Sequence, residues 1–215
     1  MLDAQYKSFY DELLRAKIDR KRLITDPLRL FAYGTDASFY RLIPKLIVRA
    51  TTTEEIRAIV AAATKFSIPV TFRAAGTALS GQSATDSVLV LTGKDWEGIK
   101  IDETGEHIEV QPGIIGARVN KLLAPYGRKL GPDPASVRSA MIGGIVANNA
   151  SGMNGTDENS YKTIDSVRIV LADGTVLDTG SPASRDEFRR THPEFLARLE
   201  EIRRRVADNE VLTAP

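Results

Sequence analysis

The chain has 215 residues, 42% of them hydrophobic, enough for one large domain or two small subdomains around a sizeable core. Lys plus Arg number 29 against 28 Asp plus Glu, and the resulting net charge of +1 speaks against a nucleic-acid module, which carries a basic excess. With no cysteine and only two histidines, a disulfide, a Cys-ligated zinc or iron–sulfur site, thiol catalysis and a His-rich metal site are all excluded or disfavoured.

Residues 4–17 read as an amphipathic helix, with Phe9, Leu13 and Ala16 on one face. The next stretch, TDPLRLFAYGTDASFYRLIP, is aromatic and broken by Pro and Gly, so residues 1–45 read as a helical arm on or beside a domain. Residues 46–98 read as a parallel βαβ subdomain. LIVRA is its first strand. Thr52 with Glu55 fits a capping box, and Ile56, Ile59, Val60 and Ala63 form the stripe of the helix that follows. PVTFR and SVLVLT are two further strands, and strand–helix–strand implies a right-handed parallel crossover.

Residues 99–215 read as a second α+β subdomain. IKIDETGEHIEVQPG has the pattern of a hairpin, GARVNKLLAPYG of a short helix, and DSVRIVLADGTVLDTG of a second hairpin turning at Asp173-Gly174. A charged helix or two occupies 185–207, with Pro193 near a helix start. The fold class is α+β: a small parallel βαβ sheet plus a mostly antiparallel sheet with flanking helices. A ligand cleft between the two is expected. No apolar run approaches the ~18 residues of a membrane span. The charged N-terminus has no signal-peptide centre, so the cytoplasm is the default compartment.

Two glycine-rich stretches stand out. RAAGTALSGQSATDSVLV, residues 73–90, places Gly76, Gly81 and several hydroxyls between two strands. It matches neither GxxxxGK[ST] nor GxGxxG, so a P-loop and a plain dinucleotide Rossmann turn are poor fits. It is either a surface connection or an anion nest whose backbone N–H groups, with Thr77, Ser80 and Ser83, cradle a diphosphate. The second stretch, GPDPASVRSAMIGGIVANNASGMNGTDENSYKT, spans residues 131–163. Its MIGGIVANNASG segment is too apolar for a solvated loop. It either fills space between subdomains or lies flat against a planar ligand, with Asn148 and Asn149 offering uncharged donors and acceptors.

Taken in order, RAAGTALSG, GPDPAS, MIGGIVANNASG and VRIVLADGTVLDTG resemble the motifs of the FAD-linked oxidases. These form the D-lactate dehydrogenase and glycolate oxidase branch of the vanillyl-alcohol oxidase and para-cresol methylhydroxylase superfamily. The resemblance covers about residues 40–210 and implies the two-subdomain FAD-binding fold. It implies that Arg73 and the loop from Ala74 and Ala75 through Gly76, Thr77, Ala78, Leu79, Ser80, Gly81 and Gln82 wrap the FAD pyrophosphate. Pro132, Asp133, Pro134, Ala135 and Ser136 are implied to sit along the flavin and ribityl chain. Met141, Ile142, Gly143, Gly144, Ala147, Asn149, Ser151 and Gly152 are implied to line flavin and diphosphate, and Ile164 to touch FAD through its backbone.

The chain departs from the family at three places. Ala74-Ala75 replaces Gly-Gly, so those residues are expected in ordinary backbone regions. GMNGTDENSYKTI is longer than the family form and resembles the branch fused to a C-terminal iron–sulfur module. In the family a cap binds the substrate carboxylate, and a connection into it is expected where this sequence stops, so the chain resembles an excised FAD domain or a short paralogue. FAD is expected to be non-covalent, since no Cys is present and alanines stand beside the loop.

The remaining residues read plainly. His107 is expected on an exposed strand and His192 at a helix entry. Trp96, Phe31 and Tyr33 read as packing, and RLEEIRRRVADNE as a solvated helix face. Arg138 is either a solvent-facing loop residue or a cation near flavin N1–C2=O. No catalytic residue and no metal ligand is assigned. The leading function is the FAD-binding domain of a D-2-hydroxy-acid dehydrogenase or oxidase acting on a small acid such as D-lactate or glycolate, inactive as this piece alone. The missing cap, and an iron–sulfur region, are its implied partners, with peripheral attachment at the inner membrane open for the full enzyme. A stand-alone flavin or electron-transfer module and an enol-ether reductase of the same fold are the alternatives.

Overall fold

The computed structural model describes residues 2–152 and 159–209. Their contacts form two compact units, Met1–Ile164 with Ala172–Gly174, and Asp165–Leu171 with Thr175–Pro215. Glu210 of the charged run and residues 153–158 of the GMNGTDENSYKTI segment lie outside the described residues.

In the first unit, α1 (Ala4–Arg15) begins where Asp3 accepts the Tyr6 N–H at its N-cap. Its Tyr6, Phe9 and Leu13 fall on one buried face, and the helix packs on α3 (Thr53–Lys65). The four-stranded sheet uses β1 (Leu23–Ile24), β2 (Leu46–Arg49), β3 (Val70–Arg73) and β4 (Val88–Leu91) in the order β1-β2-β4-β3. Strands β2 and β3 both run parallel to β4. Consecutive residues Leu46, Ile47, Val48 and Val88, Leu89, Val90 are all buried, so both sheet faces are covered. On one face Ile24, Ile47 and Leu89 cluster, with Leu30 of α2 (Pro27–Ala32) packed against them.

The structure sharpens the sequence reading at two points. The arm is not only helical: it adds β1, antiparallel to β2 with Leu23 opposite Val48. A two-residue strand is too short to show a period. The crossover from β2 through α3 to β3 also skips one place, because β4 inserts between them. Neighbouring parallel strands need a long return connection. Between β3 and β4 residues 74–87 make that return with no helix, and this is the first glycine-rich loop.

The expected capping box is half formed. Thr52 Oγ1 accepts the Glu55 N–H at 3.2 Å. The Glu55 carboxylate turns instead to the Thr51 N–H at 2.8 Å and to Arg22, whose two terminal nitrogens donate at 2.5 and 2.6 Å. The pair ties the arm to the start of α3. Burial pushes the Glu55 carboxyl up, but the bonds from Arg22 and Thr51 outweigh it and hold the group below its ordinary range. Stability from this carboxylate is therefore fully present above about pH 4.3, its unfolded value, and is lost as pH falls through the lower folded value. Glu55→Gln is expected to lower stability at neutral pH by about 1–3 kcal/mol. Chemical denaturation from pH 3 to 7 checks this: the variant's acid limb should be flatter than that of the wild type. Superimposable limbs would assign the acid sensitivity elsewhere.

Further along the first unit, β5 (Ile99–Ile101) and β6 (Ile108–Val110) pair antiparallel. Three helices follow, α4 (Gly116–Leu123), α5 (Ile142–Ala147) and α6 (Ser160–Thr163). Ile114, Val119, Leu123, Ala140, Ile142 and Ile145 form their core, with Ile99, Ile101, Ile108 and Val110 packed against it. In the second unit β7 (Arg168–Val170) and β8 (Val176–Asp178) form the other ladder, and α7 (Pro182–Thr191) and α8 (Pro193–Ala207) follow. Each of these helices opens on Pro, whose missing N–H is harmless there. Among the described residues the antiparallel part is thus two separate two-stranded ladders. No described helix is long and apolar enough to cross a membrane.

Candidate functional site

The loop leaving β3 is held from behind. Arg73, only 6% exposed, turns its guanidinium inward. Nε and Nη2 donate to the Ser83 carbonyl at 2.9 and 2.5 Å, and Nη1 to the carbonyls of Tyr33 and Thr35 at 2.9 and 3.1 Å. Burial lowers the pKa of this guanidinium, and the charge of Asp36 opposes the shift. The Ser83 hydroxyl donates to Asp36 Oδ2 at 2.8 Å, and the Ala37 N–H donates to the Gly76 carbonyl at 2.9 Å.

These ties use the loop's carbonyls and one hydroxyl. Its amides are left over: no backbone N–H from Ala74 through Ser83 donates to an acceptor among the described residues. The side chains of Thr77, Ser80 and Gln82 likewise have no partner there. Residues 74–82 are half-buried or exposed, with Leu79 at 73%. A run of unshared N–H groups on a braced backbone is the arrangement that receives an anion.

Gly76 and Gly81 lie at φ +71° and +76°, where L side chains are strained. A Cβ on Gly76 would sit 3.2 Å from Arg73 Cδ, and one on Gly81 would sit 2.6 Å from Tyr40 Cδ2. The glycines are thus required by the turn and by the protein's own packing behind the loop. Ala74 and Ala75 avoid positive φ, as their side chains demand.

The second stretch folds back on itself. Asp133 bridges Gly152 in parallel fashion, its N–H donating to the Ser151 carbonyl at 2.6 Å. Met141 bridges Ile115, and the Ile142 and Gly143 N–H groups donate to the carbonyls of Ile114 and Pro112 at 2.9 Å. Ile142 and Pro132 are buried, and a Cβ on Gly143 would lie 2.6 Å from Pro112 Cβ. By contrast Gly144 is exposed and a Cβ there would meet nothing within 4 Å. Ala135 and Ala147 are exposed, and Pro134, Ser136 and Met141 are half-buried. Asn149 adopts φ +43° and its Oδ1 accepts the Tyr161 N–H at 3.0 Å, so its amide oxygen braces α6. Ile164 is half-buried and extended at the end of α6.

Of the other residues singled out in the sequence, Trp96, Phe31, Tyr33, His107, His192 and Arg138, Trp96 alone is buried. Trp96 is 9% exposed and donates to the Ala50 carbonyl at 2.7 Å. Phe31 and Tyr33 are exposed, with Arg41 stacked 4.7 Å above Phe31. His107 is exposed in the hairpin turn, one residue before β6. His192 occupies the N-cap position of α8 without a side-chain cap bond, and its ring stacks on Phe188 with centroids 4.4 Å apart. Arg138 is exposed. Sequence reasoning missed Asp36 and Tyr40. The only signal was the Asp-x-Ser turn, in which the Asp36 carboxylate accepts from the Ser38 N–H at 2.8 Å.

Two shallow hollows of about 330 and 320 Å³ lie along α3 and include no residue of either glycine-rich stretch. The run of unshared backbone donors lies instead in the loop, which is the better candidate site.

The FAD binding domain family matches residues 44–180, more than half of the chain. The chain belongs to this family of FAD-binding domains. The glycolate oxidase subunit GlcD of Escherichia coli K12 is 30% identical over 79% of this chain and 35% of its own length. The D-2-hydroxyglutarate dehydrogenase of Haemophilus influenzae is 26% identical over 85% of this chain and 18% of its own. The chain thus spans about a third or less of these curated relatives. Among solved structures, an alkyldihydroxyacetonephosphate synthase superposes with a TM-score of 0.70 at 23% identity, covering 86% of this chain and 39% of that one, which establishes the shared fold. The donor set fits the cofactor: unshared amides from Ala74 to Ser83 suit a diphosphate, and the open face at Gly144 admits a close neighbour.

Proposed function

We propose that the chain is the FAD-binding part of a flavin-dependent D-2-hydroxy-acid dehydrogenase or oxidase and holds FAD non-covalently. The run of unshared amides from Ala74 to Ser83 carries this reading. These amides bind the two phosphates, with Thr77, Ser80 and Gln82 adding side-chain bonds. Pro132 to Ser136 and the segment Met141 to Gly152 line the flavin, Gly144 giving the closest approach, and Ile164 contributes backbone. Arg73 acts by holding the loop rather than by touching the ligand. Bound FAD supplies the hydride acceptor.

Non-covalent attachment is supported by the lack of cysteine and by alanines at 74 and 75. A small 2-hydroxy acid as substrate of the full protein is supported by the names of the two relatives. We assign the substrate clamp, the proton acceptor and any iron–sulfur region to parts of the full-length relatives that this chain does not span. The arm at 1–45, the parallel part at 46–98 and the remainder serve as bracing, phosphate and flavin regions of one FAD-binding domain acting in the cytoplasm.

Titration of the purified chain with FAD tests this. Flavin fluorescence should change saturably, and the melting temperature should rise, because a ligand at a hundred times Kd adds about 2.7 kcal/mol. Acid precipitation should leave all flavin in the supernatant. No response at saturating FAD would overturn the reading. The same preparation should reduce dye with glycolate, D-lactate or D-2-hydroxyglutarate no faster than free FAD, since hydride transfer needs a held C2–H and a placed base. Substrate-dependent turnover would instead locate a base within these residues, with His107 and Tyr161 the first to mutate.

A further inference from the structure

We propose that the arm segment Tyr33 to Tyr40 is a latch that sets the diphosphate loop in its binding shape, with Asp36 its central positioning residue. The inference rests on the FAD reading above but concerns residues outside the family-matched span, which begins at residue 44.

The loop braces itself little: its internal bonds among the described residues are the Ala84 N–H to the Gly81 carbonyl at 3.0 Å and the Ser87 N–H to Thr85 Oγ1 at 3.1 Å. It has no ladder or helix, and its own amides from Ala74 to Ser83 make no internal bond among the described residues. Its shape comes from four separate ties to the arm. Arg73 links the Ser83 carbonyl to those of Tyr33 and Thr35. Asp36 accepts from the Ser83 hydroxyl at 2.8 Å. The Ala37 N–H donates to the Gly76 carbonyl at 2.9 Å. The Tyr40 ring lies against Gly81, so close that a Cβ there would be 2.6 Å from it.

Asp36 joins these ties. Its Oδ1 fixes the arm's own turn by accepting from the Ser38 N–H and hydroxyl at 2.8 and 2.5 Å, while Oδ2 reaches the loop. Its charge also answers the buried Arg73 guanidinium, which makes no ion pair closer than 4.0 Å among the described residues. Burial raises the Asp36 carboxyl, but bonds from Ser38 and Ser83 and the charge of Arg73 bring it below its ordinary range, so it stays ionised at neutral pH. The hydrogen-bonded ties engage carbonyls and one hydroxyl of the loop, and none uses an amide of residues 74–83. A loop already ordered in this way loses less conformational freedom on binding, which raises affinity without new contacts.

The test uses the full 215-residue chain and its Asp36→Ala and Ser83→Ala variants. FAD is titrated directly and ADP by competition, at a temperature well below every melting point. ADP carries the diphosphate without the flavin. A wild type that fails to bind FAD would sink the FAD reading itself, not the latch. With a binding wild type, Asp36→Ala should raise the Kd of FAD and ADP in parallel, by about tenfold or more. Ser83→Ala keeps the carbonyl ties and should raise both by a smaller factor of about three. A variant whose melting point drops while both Kd values stay within twofold would show Asp36 to be a stability residue only and would overturn the proposal. So would an effect on FAD that spares ADP, because it would place Asp36 at the flavin end. If Asp36→Ala does not fold, unchanged affinities in Ser83→Ala overturn it equally.

Discussion

Arg73→Met is expected to lower stability by about 3–5 kcal/mol and to weaken FAD binding by at least about a hundredfold. Methionine keeps most of the stem and its packing but supplies no donor. Three carbonyls, of Tyr33, Thr35 and Ser83, then lose the N–H groups that reach them at 2.5–3.1 Å. Each acceptor left unpaired in a buried place costs about 1–3 kcal/mol. Asp36 also loses the positive charge that helps hold its carboxyl below the ordinary range. Lysine does not rescue the site, because one ammonium cannot span the positions that a planar fork bridges. Urea unfolding should show a lower midpoint with an unchanged slope, and FAD titration of the folded fraction a large rise in Kd. A methionine variant with the wild-type midpoint would mean that the arm and loop are held by something other than this side chain.

What could be read from the sequence follows from the range of the interactions. The helix at 53–65 was legible because its cap and its stripe of Ile56, Ile59, Val60 and Ala63 are local. The hairpin at 168–178 was legible through Asp173-Gly174, and Gly174 indeed takes φ +86°. Four motifs in fixed order carried the family. Strand β1 was hidden because pairing Leu23 with Val48 is a long-range event over only two residues. The insertion of β4 between β2 and β3 was hidden because strand order leaves no periodic trace. The roles of Gly76 and Gly81 were half legible: their turns were expected, but Arg73 and Tyr40 as the neighbours that exclude a side chain were not. Asp36 was missed for the same reason, since its loop partner, Ser83, is 47 positions away.

Gly152→Ala is expected to be the most damaging single-methyl change in the second glycine-rich stretch, lowering stability by more than about 3 kcal/mol and abolishing tight FAD binding. Gly152 lies at φ +98°, and an added Cβ would stand 1.9 Å from the Asp133 carbonyl oxygen and 2.2 Å from its carbon. Both are backbone atoms, so no rotamer change relieves the clash. The Asp133–Gly152 bridge and the Asp133 N–H bond to Ser151 must break, and with them the junction that brings PDPAS beside NNASG. Gly144→Ala is the matched control. Its Cβ would enter open space on α5, and alanine favours a helix over glycine by up to about 1 kcal/mol, so the protein alone should be as stable or slightly more so. If the flavin lies against that face, the same methyl group should still weaken FAD binding severalfold. Thermal melts without ligand and FAD titrations of both variants separate the two effects. A Gly144→Ala protein that binds FAD as the wild type does would move the flavin away from α5, whereas a stable Gly152→Ala protein would show that the two segments need not touch.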